Sequence, residues 1–478
     1  MSIAQTQPSQ ALPGKKHWLG AAFLFTAAFI NMLDTTIVNL ALPSIQNDLS
    51  ASHSALQWVL VIYALTFAAG LLPFGRFGDA LGRQHLFLAG LGGFTLASIA
   101  CGVAPTIEAL VVSRMAQGLA ASMMMPQVLA ILHESFPENE KAKAIGLFGM
   151  ITALGAMAGP LVGGFLISAN LFDLGWRMIF LINIPIGVAA LAGAAAFLPA
   201  ARAAKTQTVD WSGAFLFAGA SVALLYPMIE GHALGWPSWL AAVFLLSFLL
   251  MAKFWHHQQR LAKKGRPQLL PLSLLENARF LSRIGLVTLM FAGIAGPIVV
   301  LAMVLQSGLG LSPAQAGIAL AAHPLSIMLA SILTSRVGSR HVALRASLGM
   351  VSLLIGMLGL KLLINDDVPV HVVWLPLVFV GAGMGSAAVV MYQLVLNEVP
   401  VADAGAGSGA LQAFQQIGIA LGIALVSQVF FTVLGDDPTP AKYIEALRAA
   451  LWLPVAIYAA LSVLIGALHH KEKSYARP

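Results

Sequence analysis

The sequence predicts an all-α membrane protein of fourteen transmembrane helices: two six-helix bundles with two extra central helices between them. Three observations predict it. Hydrophobic residues make up 59% of the 478 and charged residues only 9%, against roughly 25% charged in a soluble domain. Apolar runs long enough to cross a bilayer, about 20 residues each, recur fourteen times. Basic residues gather between those runs on alternate sides, as the Lys/Arg bias of cytoplasmic loops requires.

In order, the runs are 18–41, 54–74, 85–103, 106–132, 143–168, 177–198, 211–230, 238–256, 280–305, 313–335, 343–364, 371–396, 404–434 and 443–468. With the N-terminus in the cytoplasm, the outer side receives only Arg177, Lys361, Lys442 and Arg448, and Arg114 falls inside a run. The remaining 21 of the 26 Lys and Arg lie on the inner side. Both termini are then cytoplasmic, as an even number of spans demands. Residues 1–14 are polar and uncharged, without the layout of a cleavable signal.

The net charge of +7 forms no patch, so nucleic acid is not an expected partner. Cys101 is the only cysteine, which excludes an internal disulfide and any cysteine-based metal site. No phosphate-binding Gly-Lys-Ser/Thr loop is present, so ATP-driven transport through this chain is not expected. The twelve histidines are scattered, without the clustering an embedded enzyme needs. No cofactor and no metal are expected.

Gly75-Arg76-Phe77-Gly78-Asp79 follows the second run, and Ser335-Arg336-Val337-Gly338-Ser339 follows the tenth. This echo predicts two related halves, a construction found in secondary transporters whose halves rock about a central site. The expected layout is a cytoplasmic tail at 1–17, a first bundle at 18–200 and the two inserted helices with a cytoplasmic linker at 201–275. A second bundle at 276–468 and a tail at 469–478 complete it.

Asp34 and Arg114 are charges inside apolar runs, each costing several kcal/mol unless paired or hydrated, and such residues are functional by default. Each lies about eight residues from the outer end of its run, ~12 Å deep at 1.5 Å per residue. Equal depth is what an ion pair needs. Desolvation disfavours the carboxylate of Asp34, while a nearby Arg114 favours it. Movement of the first span against the fourth would therefore load and unload a proton. The bland alternative is a buried pair that fixes helix register.

The stretch Gly155–Gly164 places Gly155, Gly159, Gly163 and Gly164 around Pro160. Glycines allow close helix contact and the proline removes a backbone hydrogen bond and bends the helix, so this span should pack tightly yet pivot. The stretch Gly75, Arg76, Gly78, Asp79, Gly82 and Arg83 reads as a tight cytoplasmic loop, with Asp79 placed to cap a helix.

These motifs resemble the major facilitator superfamily, whose signature loop joins the second and third helices, and more narrowly its fourteen-helix drug:H+ antiporter branch. Leu33–Pro43 is similar to that branch's first-helix motif and Arg114–Gly118 to its fourth-helix arginine motif. Gly155–Gly164 is similar to the fifth-helix antiporter motif and Trp176–Pro185 to the entry of the sixth helix. The resemblance implies the major facilitator fold, a proton-linked carboxylate at Asp34 assisted by Arg114, and a conformational latch in the Gly75–Arg83 loop. It implies export of lipophilic drugs or toxic compounds by a monomeric transport unit in a prokaryotic cytoplasmic (inner) membrane. Protons, membrane lipids and lipophilic small molecules are the expected partners. Some relatives in double-membrane bacteria work with a periplasmic adaptor, and that partner stays open, as does a metabolite symporter or exporter on the same fold. The second half has Ser339 where the first has Asp79.

Polar and aromatic residues within the spans are candidates for a substrate cavity. The first half offers Asn31, Thr35, Asn39, Trp58, Tyr63, Gln117 and Gln127. The second offers Phe291, Gln306, His323, Tyr392, Gln393, Gln412, Phe414, Gln415 and Gln416. His323, in Ala-Ala-His-Pro-Leu, reads as a core histidine beside a kink. No Asp or Glu of the second half lies far from a membrane surface, which points to neutral or singly charged lipophilic cargo.

Overall fold

The computed structural model describes residues 14–198, 209–336, 342–365, 369–400, 403–435 and 438–475. The tails at 1–13 and 476–478 lie outside them, as do Val337, Gly338 and Ser339 of the second-half echo. Fourteen helices are long and apolar enough to cross a membrane. They are α1 His17–Leu49, α2 His53–Gly78, α3 Arg83–Gly102, α4 Ile107–Ser135, α5 Lys143–Ala169, α6 Gly175–Phe197 and α7 Trp211–Glu230. After these come α8 Trp239–Lys263, α9 Ala278–Gly308, α10 Pro313–Thr334, α11 Leu344–Leu363, α12 His371–Leu396, α13 Gly405–Leu434 and α14 Pro440–Ile465.

Packing repeats at an interval of eight helices. In the first half α1 packs on α5, α2 on α4, and α3 on α4 and α6. In the second, α9 packs on α13, α10 on α12, and α11 on α12 and α14. The halves meet along two seams, α5 with α10 and α2 with α13. The inserted α7 lies over the second seam, against both α2 and α13, and α8 packs on α7. Trp58 Nε1 donates to Glu230 Oε1 at 2.7 Å, and the Phe217 ring meets Phe414 edge-on at 5.9 Å. So α7 holds one residue from each side of the seam.

The elements that differ from the sequence expectation include these three. First, α1 continues past residue 41 to Leu49 through Pro43. Its last turns are polar and leave the apolar run, but Asp48 accepts from Trp176 Nε1 at 2.9 Å and Arg177 at 2.5 Å, which holds them helical. Second, the stretch read as a tight loop is mostly helix, because α2 is helical as far as Leu81. Only Gly82, at φ +95°, breaks it, a conformation that glycine alone adopts without strain. Gly82 also stands where α3 begins, with no side-chain cap, so Asp79 lies inside a helix rather than at a helix start. Third, α9 is interrupted: it is α-helical to Ala292, resumes over Ala295–Met303 and ends in a π turn, Val304–Gly308.

On the face that carries the termini, Asp210 joins the inserted pair to the linker. It caps α7 by accepting from Gly213 N at 2.8 Å. It also bonds His257 Nε2 at 2.8 Å and Gln258 Nε2 at 2.7 Å, while Gln258 Oε1 accepts from Leu269 N at 2.9 Å. Asp210→Ala removes the cap and both side-chain bonds, so it should lower stability by about 1–2 kcal/mol. Asp210→Asn, which keeps an acceptor at the cap, should lose less. Thermal unfolding of the two variants checks this, and an Asp210→Ala midpoint equal to wild type would refute it.

Candidate functional site

Asp34 and Arg114 meet in the middle of the first half, both fully buried at 0% and 1% exposed. Arg114 Nη1 donates to Asp34 Oδ2 at 2.5 Å. Gln117 Nε2 and Asn183 Nδ2 donate to Asp34 Oδ1 at 2.8 and 3.0 Å. The carboxylate therefore accepts from three nitrogens on α4 and α6 while sitting on α1. Arg114 also donates through Nε to the Val59 carbonyl at 3.2 Å and through Nη1 to Gln117 Oε1 at 2.6 Å. Its guanidinium lies over the Tyr63 ring at 4.2 Å. Gln117 in turn donates to Ser98 Oγ at 2.9 Å. Five helices thus converge on one buried charge pair, and Arg114, Gln117 and Asn183 are turned to hold a carboxylate. A proton on Asp34 would put a hydrogen where an oxygen now accepts from Arg114, so protonation and the pairing compete.

Sequence reasoning did not select Asn183 or Ser98. Asn183 falls within the quoted Trp176–Pro185 stretch, which was a signal, but nothing in the chain order says that it faces Asp34. Asn183 Oδ1 and Asn31 Nδ2 are buried without hydrogen-bond partners, so this polar cluster retains spare bonding capacity. Unpartnered buried polar atoms are uncommon enough to carry meaning.

Beside the pair lies a cavity of about 260 Å³ lined from both halves. Thr35, Asn39, Tyr63, Phe291, His323, Gln415 and Gln416 line it, together with Arg114. The other wall residues are mainly aliphatic and include Met32, Leu60, Ile298, Leu320, Ile327, Met384 and Ile423. Among the described residues, no Asp or Glu lines it.

The remaining cavity candidates stand elsewhere. Asn31 is buried and accepts from the Tyr63 hydroxyl at 2.7 Å. Trp58 binds Glu230, as above, and Gln117 belongs to the Asp34 cluster. Gln127 donates to the Phe74 carbonyl at 2.9 Å and packs against Gly78. Gln306 reaches from α9 to the Leu40 carbonyl at 3.1 Å. Tyr392 stands one layer back, donating to Gln415 Oε1 at 2.6 Å and stacked on Phe291 at 6.3 Å. Phe414 packs on Phe217, Gln412 is half-buried, and Gln393 is exposed.

The glycine stretch of α5 has two faces. Side chains added at Gly155, Gly159 and Gly163 would strike α1, the first of them 2.6 Å from the Phe29 carbonyl. Gly164 instead faces α10, where a Cβ would sit 2.5 Å from the Pro313 carbonyl. Pro160 lines the cavity and its carbonyl abuts Gly317. Ala314 N donates to Ser168 Oγ at 3.0 Å across the same seam. The α5–α10 contacts at Pro160, Gly164 and Ser168 lie in the half of the seam away from the termini. In the other half Gly146 and Gly149 have open space around them, and Met150, Leu329 and Leu333 are exposed.

In the stretch Gly75–Arg83, Gly75 approaches Pro126 of α4, and Arg83 pairs with Glu134 at 2.9 Å and bonds the Ala130 carbonyl at 3.2 Å. Arg76 has a partner as well. The stretch therefore fastens α2 and α3 to α4 on the face that carries the termini.

Residues 24–423 match the sequence profile described as Major Facilitator Superfamily. The chain belongs to the major facilitator superfamily. A relative named "Probable actinorhodin transporter", from Streptomyces coelicolor, is 36% identical over 93% of this chain and 78% of its own length. The tetracenomycin C resistance and export protein of Streptomyces glaucescens is 30% identical, covering 93% and 81%. The riboflavin transporter RibZ of Clostridioides difficile is also 30% identical, covering 93% and 95%. A solved structure of the peptide transporter POT in complex with sulfate superposes with a TM-score of 0.68, at 18% identity, covering 98% of this chain and 99% of that one. At that identity the likeness shows the fold. This major facilitator protein is accordingly a multi-pass membrane transporter, with two six-helix bundles and two central helices.

Proposed function

We propose that this major facilitator protein is a proton-coupled exporter of lipophilic compounds. It works as a monomer in the cytoplasmic membrane of a prokaryote, with both termini in the cytoplasm. The observation that carries the reading is the fully buried Asp34–Arg114 pair at 2.5 Å, set against a largely apolar cavity that both halves line. Relatives named for antibiotic resistance and export support the cargo class. A second reading, a specific metabolite as cargo, is favoured by the relative named a riboflavin transporter.

In the proposed cycle the halves, 18–200 and 276–468, rock about the cavity while residues 201–275 bridge them. The α5–α10 seam is closed away from the termini and open near them, which fits the form that loads cargo from the cytoplasm. Asp34 carries the proton. The titratable and charged groups facing it are Arg114, Tyr63 and Cys101, and Arg114 alone among these neutralises its charge. Proton arrival from outside releases Arg114, and proton departure inward restores the pair. The Gly75–Arg83 stretch latches the face that carries the termini, and α5 with its glycines is the pivot. Nucleic acid and metal play no part. A periplasmic adaptor would act after release and leave these steps unchanged.

The test uses purified protein in liposomes with an imposed proton gradient and a panel of lipophilic dyes. Dye should accumulate against its own gradient, and a protonophore should stop it. Accumulation that persists without the proton gradient would overturn the coupling.

A further inference from the structure

Several hydrogen-bonding groups on the first-half wall of the cavity are already engaged. Thr35 Oγ1 donates to the Asn31 carbonyl at 2.8 Å, Thr36 Oγ1 to Met32 at 3.1 Å, and Tyr63 to Asn31 Oδ1 at 2.7 Å. Arg114 donates to Asp34, Gln117 and Val59 through Nη1 and Nε. The second-half wall holds a buried group without a partner. His323 Nε2 is buried, lies in the cavity lining and has no hydrogen-bond partner. A core histidine with its bonds satisfied would not look like this. Gln415 lines the same cavity, its carbonyl oxygen taken by Tyr392, while its amide nitrogen makes no bond among the described residues. Phe291, stacked on Tyr392 with 15° between the rings, gives the same wall an aromatic surface.

The charge of the lining narrows the ligand further. Arg114 reaches the cavity surface, and among the described residues no carboxylate does. A permanent cation entering this space would lose its hydration without gaining a counter-charge, which is strongly unfavourable. A neutral ring system meets no such penalty, and an anionic one faces the Arg114 guanidinium rather than a carboxylate. A phenolic or enolic hydroxyl offers both a proton and an acceptor oxygen. An imidazole nitrogen can take that proton, and an amide N–H can donate to that oxygen.

We propose that the cavity binds neutral or anionic hydroxyaromatic compounds, that His323 together with Gln415 reads the hydroxyl, and that lipophilic cations are rejected. This rests on the reading of the cavity as the transport site and names its cargo class. The aromatic body lies against Phe291 and the aliphatic wall, and the His323 side chain sets specificity.

The experiment measures equilibrium binding to the purified full chain without any gradient, using alizarin, its dimethyl ether and ethidium. Wild type should bind alizarin about tenfold more tightly than the ether or ethidium, the scale expected when a buried bonding group loses its partner. His323→Ala should remove that preference and leave ether binding unchanged, which also reports an intact cavity. His323→Gln, which retains a hydrogen-bonding group, should fall between. Ethidium binding equal to alizarin in wild type overturns the proposal, as does an alizarin preference that survives in His323→Ala. Loss of the ether together with alizarin in that variant overturns it too, because the effect is then on the cavity as a whole. Wild type binding none of the probes also overturns it. The expected binding pattern without gradient-driven transport would leave this proposal standing and remove proton-coupled export.

Discussion

Asp34→Asn should abolish gradient-driven transport while preserving binding of cargo. The substitution is close to isosteric: with its amide oxygen turned to Gln117 and Asn183, those two donors keep an acceptor, and Arg114 alone meets an NH2 where it had an oxygen. What disappears is the group that gains and loses a proton. Uphill accumulation in proteoliposomes should fall to the protein-free level, and exchange of labelled for unlabelled cargo at equal pH should persist. A stability effect comes with it. Asn leaves the guanidinium of Arg114, 1% exposed, without a counter-charge, and breaking a buried pair in this way costs about 3–5 kcal/mol. A lost activity could then be blamed on a poorly folded protein. The double variant Asp34→Asn with Arg114→Gln separates the two. Removing both charges should recover most of the thermal stability and none of the coupling. If the double variant recovers uphill transport, or Asp34→Asn keeps wild-type pH dependence, Asp34 is a structural anchor and the proton travels elsewhere.

The sequence made the spans legible because lipid imposes one requirement on all of them: about 20 apolar residues in a helix. Errors arose where helices continue for other reasons. The end of α1 is polar, and the anchors of its Asp48, Trp176 and Arg177, stand more than a hundred residues away in the chain. The glycines of the Gly75–Arg83 stretch suggested a loop, yet Gly78 is there to let Gln127 approach and only Gly82 turns the chain. At the site, Asp34 and Arg114 were visible because charge inside an apolar run is rare. Asn183 and Ser98 were not, because their meaning depends on which helix faces point inward. The same holds for polar residues such as Trp58, Gln127 and Gln306, which join helices to one another instead of lining the cavity. Most of the lining is aliphatic, and in helices that are apolar on every side such residues carry no mark of their position.

Gly164→Leu should block transport more severely than any other single glycine change in α5. The motif glycines on the α1 side serve packing inside one half, where the helices need not part during the cycle. Gly164 alone among them faces the other half, and a Cβ there would sit 2.5 Å from the Pro313 backbone carbonyl and 3.0 Å from Ala314 Cα. Both are backbone atoms and cannot rotate away, so a leucine must push α5 and α10 apart. The seam could then no longer close in the half away from the termini, and cargo and protons would leak or stall. Transport should drop at least about tenfold, the change that 1.4 kcal/mol in a rate-limiting step produces. Binding of cargo from the opposite side should survive, because the cavity wall at Pro160 lies a full helical turn away. Gly146→Leu provides the contrast, since nothing lies within 4 Å of that position, and it should transport near the wild-type rate. Cysteine pairs placed across the seam would read the same difference as accessibility to a membrane-impermeant thiol reagent. Equal transport by Gly164→Leu and Gly146→Leu would mean that this seam does not govern access, and that the α2–α13 seam under α7 is the moving one.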